Sequence, residues 1–290
     1  MILVIGTDID PTSIYFIKKL KAKNIDFLFF NMKNLYSNTK LYNEYFIYNS
    51  KKYYYNSFSG VLNRASGTDI NAIKTPEKYW RAIALEQLLY SFLNCKFTNV
   101  LNRCFYGISN NFKLLQISSL DLKLVKIPKY KILSNVNIEQ SLKEDNVEYV
   151  VKSQSGIRSI AQKHNKDIFP ESESTEPVLF QELIIGDNIR VHVVSGKCFP
   201  IRIKSDQIDY RYSTSTHFSV INIPDKIAQE CILISKKLNL LFTGIDLIQQ
   251  EKDFFLLEAN PMPGWSYFEK EVKYDSISLR LIEILLGKVS

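Results

Sequence analysis

The amino-terminal part of the chain combines an apolar run with an amphipathic stretch. Residues 2–5 are apolar and lead to Gly6, and Ile14, Ile17 and Leu20 then recur at helical spacing. A continuous apolar run is typical of a strand buried on both faces, and the second spacing is typical of a helix that packs on such a sheet. The pattern predicts a strand, a helix and a second strand at residues 25–30, the first unit of a parallel sheet.

Similar patterns predict the other elements and an α/β fold class with an antiparallel α+β part. Thr75 and Pro76 are typical of a helix start. We interpret the apolar stripe Trp80, Ala84, Leu88 and Phe92 as its buried face rather than as a base-stacking platform. Further predicted strands are 100–103, 129–133, 147–152, 178–180 and a hairpin of 190–194 with 198–204, and further predicted helices are 111–120, 137–145, 225–240 and 276–286.

A second predicted hairpin lies near the carboxyl end of the chain. Apolar strands at 244–250 and 254–260 flank a polar loop at 251–253. Two strands joined by a short polar loop are typical of an antiparallel hairpin. If the loop is symmetric, Gln250 lies opposite Phe254.

Three oxygen-bearing side chains meet on this hairpin. Counting back along both strands places Asp246 opposite Glu258, and Asn260 then shares their face. Like charges directly opposite destabilise a sheet, so something must offset the repulsion. Carboxylate and amide oxygens suit Mg²⁺, which typically bridges to substrate phosphates. The pattern indicates a metal–nucleotide site; the alternative is a solvent-facing hairpin whose acids stay hydrated or share one proton.

Composition narrows the class of protein without naming a partner. The chain has 290 residues, 46% of them hydrophobic, a formal charge of +7 and four cysteines without a CxxC pair. These values are typical of a folded protein that favours anionic partners, although the charge could simply solvate the surface. The sequence has no GxGxxG or GxxxxGK[ST] motif, signal segment or membrane-spanning stretch. We expect a cytoplasmic protein with reduced cysteines.

The hairpin sequence resembles a known family. Gly-Ile-Asp-Leu at 244–247 and Phe-Leu-Leu-Glu-Ala-Asn-Pro at 255–261 resemble the metal-binding strands of ATP-grasp carboxylate–amine ligases. Lys113, Lys152 and the segment 181–184 agree with that family in order and spacing. The resemblance implies an ATP-grasp fold with an N-terminal parallel-sheet pre-ATP-grasp domain, a small central α+β domain and a C-terminal antiparallel-sheet α+β domain with the metal site. The expected bounds are 1–109, 110–183 and 184–290.

Within this superfamily the chain resembles the branch of ribosomal-protein glutamate ligases and graspetide (microviridin-type) peptide maturases. The supporting segments are Gly-Asp-Asn-Ile-Arg-Val at 186–191, Pro-Ile-Arg-Ile-Lys-Ser at 200–205, Asp-Tyr-Arg at 209–211 and Asn-Pro-Met-Pro-Gly-Trp at 260–265. Two features depart from the pattern. Asn188 stands where relatives usually carry Asp, next to Asp187, and the loop after Lys152 is poor in glycine.

The resemblance implies roles for the matched residues. Asp246, Glu258 and Asn260 would hold Mg²⁺, with two ions expected and Mn²⁺ as a substitute. Lys113 and Lys152 would contact the phosphates of ATP. The residues implied to receive adenine and ribose are Gln181, Glu182, Leu183, Ile184, Asp187 and Asn188. The candidate catalytic residues are Arg190, Arg202 and Arg211. Of these, Arg202 and Arg211 would meet charge on the γ-phosphoryl and acyl-phosphate oxygens.

The implied function is an ATP-dependent ligase that works through an acyl phosphate and forms amide or ester crosslinks in a ribosomally made precursor peptide. The positive charge suits an acidic peptide. Two other functions stay open: a ligase that adds an amino acid to a small molecule or a protein tail, and a nucleotide- or nucleic-acid-binding module without turnover. A homodimer is compatible with the sequence, whereas nucleic acid is a less favoured partner and membrane association is not expected.

Overall fold

The computed structural model describes residues 1–34, 39–65, 75–101, 113–133, 142, 147–153, 161–163, 178–207, 210 and 213–289. The chain forms two compact units. The first comprises Met1–Cys104, Leu240–Phe242 and Gly264–Ser290, and the second comprises Phe105–Asn239 and Thr243–Pro263. The predicted division into three domains stays a prediction.

The first unit is built on a parallel sheet. Its elements, in chain order, are β1 (Ile2–Gly6), α1 (Pro11–Ala22), β2 (Phe27–Asn31), β3 (Thr39–Leu41), β4 (Tyr45–Tyr48), β5 (Lys51–Tyr54), β6 (Gly60–Asn63), α2 (Pro76–Lys96) and β7 (Val100–Leu101). The parallel strands lie in the order β2-β1-β6-β7, and β3, β4 and β5 form a small antiparallel sheet. The predicted opening unit is confirmed, with its second strand shifted to Phe27–Asn31.

Capping and burial explain these first elements. Asp10 accepts hydrogen bonds from the backbone N–H groups of Thr12 and Ser13 at 3.2 and 3.0 Å, and Pro11 follows as the first helical residue. This satisfies donors that a helix start leaves open. Every residue of β1 is buried, as expected for a central parallel strand.

The predicted buried face of α2 is wrong except at Phe92, which packs against the core of the first unit. Trp80 and Leu88 are 66% and 47% exposed, whereas Leu89 and Leu93 are buried against Leu3 and Ile5 in the core of the first unit. At Leu88, spacing alone placed the stripe one position away from Leu89, the residue that packs. Aromatic rings of β4, β5 and the end of α2 complete this core, where Phe46 is fully buried.

The carboxyl-terminal part of the first unit is helical. Its two helices are Ser266–Val272 and Ser276–Leu285. Trp265 is fully buried, has edge contacts with Phe16 and Phe242, and donates from Nε1 to the Ser278 hydroxyl at 2.9 Å. The tryptophan after the Asn-Pro pair is therefore a core residue.

The second unit contains two sheets. Its elements are α3 (Lys113–Ser118), β8 (Val125–Lys126), β9 (Tyr130–Leu133), β10 (Tyr149–Ser153), β11 (Ala161–Lys163), β12 (Val178–Glu182), β13 (Asp187–Val194), β14 (Lys197–Ser205), β15 (Thr216–Val220), α4 (Asp225–Lys237), β16 (Phe242–Gln250) and β17 (Asp253–Asn260). One sheet has the order β11-β10-β12-β9 and is antiparallel, and the other has the order β15-β14-β13-β16-β17-β8.

The predicted α/β class with antiparallel α+β sheets is confirmed. The hairpin at 190–204 forms as expected, with Val194 opposite Lys197 and with Ser195 and Gly196 in the left-handed region at φ 41° and 74°. Such values are typical of a two-residue hairpin turn. The predicted helix at 137–145, apart from residue 142, and the second half of the predicted strand at 100–103 lie outside the described residues. Among the described helices, none has the length and apolar character needed to cross a bilayer.

Candidate nucleotide and metal site

The hairpin of β16 and β17 brings the two predicted carboxylates together. Asp246 lies opposite Glu258, as predicted. Gln250, however, lies opposite Asp253, so the turn contains only residues 251–252, with Glu251 at φ 52°. The prediction that Gln250 lies opposite Phe254 is therefore wrong.

A β-bulge restores the register at the carboxylate pair. Leu247 pairs with Leu256 and Asp246 pairs with Glu258, so Leu257 is an extra residue on β17. A bulge sets two residues of one strand against one of its partner. The turn is one residue shorter than predicted, and the bulge adds one residue to β17. The two changes offset each other in the strand register, so Asp246 pairs with Glu258 as predicted.

Asn260 is held beside this pair. It lies opposite Gly244, its Oδ1 accepts from the Met262 N–H at 2.8 Å, and its carbonyl accepts from the Thr243 hydroxyl at 2.8 Å. The first of these bonds forms a local turn that orients the amide. The carbonyl oxygen of the amide has a second lone pair for a ligand.

Arg190 crosses from β13 to the carboxylates. Its Nε lies 3.0 Å from Asp246 Oδ1, and its Nη1 donates to the Gly244 carbonyl at 3.1 Å. The residue is 8% exposed. Burial alone would lower the pKa of Arg190, but the charges of Asp246, Tyr210 and Glu258 outweigh it and raise the pKa above its ordinary value. Arg190 is therefore a fixed positive charge next to Asp246.

Gly244 makes room for that guanidinium. A Cβ at this position would lie 2.6 Å from Arg190 Nη1 and 2.7 Å from Pro263 Cβ. The Gly-Ile-Asp-Leu motif therefore needs its glycine for a close approach. The sequence did not reveal this role, because Arg190 is far from Gly244 along the chain.

The structure separates two of the predicted catalytic arginines. Arg190 lies opposite Ile201, and Arg202 lies opposite Ile189, so their side chains leave opposite faces of the sheet. Arg202 Nε lies 3.1 Å from Asp187 Oδ2, and both side chains are partly exposed. Arg190 is on the face of the carboxylate pair. Arg211 lies outside the described residues.

Two residues predicted to bind nucleotide meet on the other sheet. Lys152 Nζ donates to Gln181 Oε1 at 2.7 Å. Gln181 is 1% exposed, and within the described part of the chain its Nε2 has no hydrogen-bond partner. A buried donor without a partner is costly, so this amide has the capacity to bind a ligand acceptor.

The segment after Gln181 is held by neighbouring backbone. The Glu182 N–H donates to the Lys129 carbonyl at 2.8 Å, and its Oε2 accepts from the Lys129 N–H at 3.1 Å. The Leu183 N–H donates to the Glu148 carbonyl at 2.8 Å, and Ile184 is buried. The predicted adenine segment is thus a well-anchored strand end.

The remaining predicted residues lie on separate elements. Asn188 is on β13 opposite Ile203. Lys113 is the first residue of α3 and is buried. Gln116, on the same helix, forms two hydrogen bonds with Ala259 on β17. The sequence did not reveal this contact, because a glutamine on a helix gives no local signal for a distant strand.

The donor set fits a hard cation. Among the described residues, no group of three or more His, Cys, Asp or Glu is arranged to hold a metal. A cation here would therefore be held by two carboxylates, the Asn260 amide and oxygens of water or substrate. Mg²⁺ favours this combination, because it keeps several waters and binds substrate phosphates.

Solved structures share the fold along the whole chain. PsnB, an ATP-grasp ligase complexed with minimal precursor, has a TM-score of 0.83 at 20% identity over 100% of this chain and 99% of that chain. The macrocyclase MdnC from Microcystis aeruginosa MRC, bound with precursor peptide MdnA, has a TM-score of 0.79 at 18% identity over 99% of both chains. A RiPP-associated ATP-grasp ligase from Chryseobacterium gregarium, in complex with ADP and a leader and core peptide, has a TM-score of 0.79 at 17% identity over 100% and 97%.

Sequence comparison gives the family. A search of curated proteins found no match. A family model described as the ATP-grasp domain matches residues 110–264. This match covers more than half of the 290 residues, and the chain therefore belongs to the ATP-grasp family.

Proposed function

We propose that this protein is an ATP-dependent, ADP-forming ligase that joins a carboxylate to an amine or hydroxyl through an acyl phosphate. The observation that carries the proposal is the pairing of Asp246 with Glu258, with Arg190 on the same face. The two carboxylates suit a divalent cation, and the positive charges of that cation and of Arg190 suit a triphosphate. ATP, when bound, supplies the phosphoryl group that makes the carboxylate a better electrophile.

In this proposal, residues of the chain bind and orient Mg²⁺ and ATP. Asp246, Glu258 and Asn260 hold Mg²⁺, with Mn²⁺ as a substitute. Lys113 and Lys152 contact phosphates, and the Gln181 amide and residues 182–184 receive the adenine. Asp187 and Asn188 receive the ribose. Fixed charges of this kind stabilise developing charge without reorganising during the reaction.

Arg190 and Arg202 take different parts in this proposal. Arg190 stays with Asp246 and orients that carboxylate. Arg211 is the candidate for contact with the reacting phosphoryl oxygens, since a planar guanidinium matches phosphate geometry. The same role does not fit Arg202, which leaves the sheet on the face opposite the carboxylate pair and lies 3.1 Å from Asp187. This division follows from the opposite faces of Arg190 and Arg202 in the sheet.

The proposed substrate is a ribosomally made precursor peptide. PsnB, MdnC and the Chryseobacterium gregarium ligase are each complexed with precursor, leader or core peptides. The formal charge of +7 favours an acidic peptide. We also propose a cytoplasmic enzyme with three domains at 1–109, 110–183 and 184–290.

Mass spectrometry tests the reaction. The protein is incubated with ATP, Mg²⁺ and a short acidic peptide encoded near its gene, and ADP is measured in parallel. Loss of one water per bond, with one ADP formed, is expected. A mass gain would indicate addition of an amino acid instead. Absence of ADP with every acceptor would contradict ligase activity, and salt-sensitive binding of nucleic acid would then favour a binding module.

A further inference from the structure

The Gln116 side chain forms two hydrogen bonds with one backbone residue. Its Nε2 donates to the Ala259 carbonyl at 2.5 Å, and its Oε1 accepts from the Ala259 N–H at 3.0 Å. Gln116 is 3% exposed and Ala259 is fully buried. Loss of the glutamine amide would leave a buried peptide N–H and C=O without these partners, which is costly.

This contact takes the place of a neighbouring strand. Within the described residues, β8 pairs only with Phe254 and Phe255 of β17 and does not reach Ala259. A carboxamide side chain has the same donor and acceptor groups as a peptide unit. Gln116 therefore continues the hydrogen bonding along this edge of β17 beyond the end of β8.

The bonded residue lies between two candidate cation ligands. Ala259 follows Glu258 and precedes Asn260 on β17. Both ligand side chains point to the face opposite that of Ala259, because side chains alternate along a strand. A backbone fixed at Ala259 thus sets the height of both ligands above the sheet.

The bonding residue also belongs to the helix that carries Lys113. Lys113 and Gln116 are three positions apart on α3, so they are neighbours on one helix surface, and both are buried. The same two hydrogen bonds therefore fix the helix that presents Lys113 to the strand that presents Glu258 and Asn260.

We propose that Gln116 is a positioning residue, which joins the cation-binding strand and the phosphate-binding helix into one rigid element. The inference rests on the proposed function, since it assigns Glu258 and Asn260 to the cation. Gln116 itself touches neither cation nor nucleotide. It acts through the Ala259 backbone, which lies between the two ligands. Loss of a residue that orients metal ligands typically weakens metal affinity.

The first test measures cation affinity directly. Mg²⁺ and Mn²⁺ are titrated into the full-length protein with ADP by calorimetry, for wild type, Gln116→Met and Ile117→Val. Gln116→Met keeps the volume and removes both hydrogen bonds, and we expect cation affinity to fall about tenfold to a hundredfold. Ile117→Val is the matched control, because Ile117 is buried on the same helix and its truncation lowers stability without touching these hydrogen bonds. Its cation affinity should equal that of wild type.

The second test follows the Ala259 amide by hydrogen exchange. We expect slow exchange in wild type and in Ile117→Val, and faster exchange in Gln116→Met. Fast exchange in wild type would overturn the proposal, because the Ala259 N–H would then lack its partner. If Gln116→Met does not fold, Gln116→Asn replaces it, since the shorter side chain keeps the amide but does not span the same distance.

The outcomes separate this inference from the proposed function. A folded Gln116→Met or Gln116→Asn variant with wild-type cation affinity overturns the positioning role and leaves the ligase proposal standing. Wild-type protein that binds no Mg²⁺ or Mn²⁺ with ADP contradicts the cation site itself. An equal loss of affinity in Ile117→Val would show that stability alone is responsible, and would also overturn the positioning role.

Discussion

Arg190 and Asp246 form a partly buried ion pair between neighbouring strands, with Nε 3.0 Å from Oδ1. Asp246 also lies opposite Glu258, and two carboxylates in this arrangement repel each other. The positive charge of Arg190 offsets part of this repulsion before any cation binds. The site is therefore preorganised: Arg190 offsets one negative charge, and a bound cation would offset the charge that remains on the carboxylate pair.

Removing one carboxylate charge should abolish cation-dependent turnover. In Glu258→Gln the volume is kept and the charge is lost, so we expect the fold to persist and Mg²⁺-dependent ADP formation to fall by about a hundredfold or more. ADP release with a peptide acceptor measures this. Glu251→Gln, in the turn of the same hairpin, is the matched control and should retain wild-type turnover. Wild-type activity in Glu258→Gln would refute the metal assignment.

Adding a methyl group at Gly244 should disturb Arg190. In Gly244→Ala the new Cβ meets Arg190 Nη1 and Pro263 Cβ at 2.6 and 2.7 Å, so the guanidinium must move away from Asp246. We expect a loss of about 1–3 kcal/mol in the free energy of unfolding, measured in urea. Gly264→Ala is the control, because its Cβ would meet Thr12 Oγ1 at an ordinary 3.6 Å. Equal stability of the two variants would contradict the steric role of Gly244.

Lys152 should matter for nucleotide binding. In Lys152→Met the ammonium group that bonds Gln181 is lost, and we expect the affinity for ATP and ADP to fall about tenfold, since a charge-assisted contact to phosphate disappears. Calorimetry without a peptide acceptor separates binding from turnover. Lys163→Met on the adjacent strand β11 is a matched control at an exposed position. Unchanged nucleotide affinity in Lys152→Met would contradict its phosphate role.

Thiol reactivity should follow burial and pH. Burial raises the pKa of Cys198 to about 11, and burial raises the pKa of Cys231 as well. The thiolate is the reactive form, so a raised pKa leaves little of it at pH 8, and its share grows only as the pH approaches the folded value. We expect iodoacetamide at pH 8 to label exposed Cys95 about a hundredfold faster than Cys198.

Peptide mapping by mass spectrometry resolves these cysteines. Labelling of Cys198 should increase between pH 8 and pH 10 while the protein stays folded. In denaturant the rates should become similar, because the burial that separates them is gone. Rapid labelling of Cys198 in the folded protein at pH 8 would show that its thiol is more accessible than the structure indicates.

The sequence predicted elements well where one local pattern decided them. The apolar run at β1, the 190–204 hairpin and the helix predicted at 276–286 each follow from neighbouring residues. The buried face of α2 did not, because apolar residues occur around much of the helix and tertiary packing selects Leu89 and Leu93. Spacing alone does not choose between adjacent apolar stripes.

In the candidate site, too, local sequence patterns did not predict contacts that depend on tertiary packing. Asp246 and Glu258 were paired correctly although the turn was one residue shorter than expected and a bulge compensated for it. The Arg190–Asp246 pair and the Gln116–Ala259 contact depend on residues that are distant along the chain. Such contacts leave no periodic signal, and only the assembled sheet reveals them.

The bulge at Leu257 divides the hairpin into two paired segments whose registers differ by one residue. The strand register between Leu247 and the turn is set by the length of the turn. The register beyond the bulge keeps Asp246 and Asn260 on the face of the candidate cation site. A residue gained or lost in the outer half can be absorbed at the bulge without rotating the inner half. Natural variation and loop engineering therefore have freedom at the hairpin tip that the strand ends near Asn260 do not share.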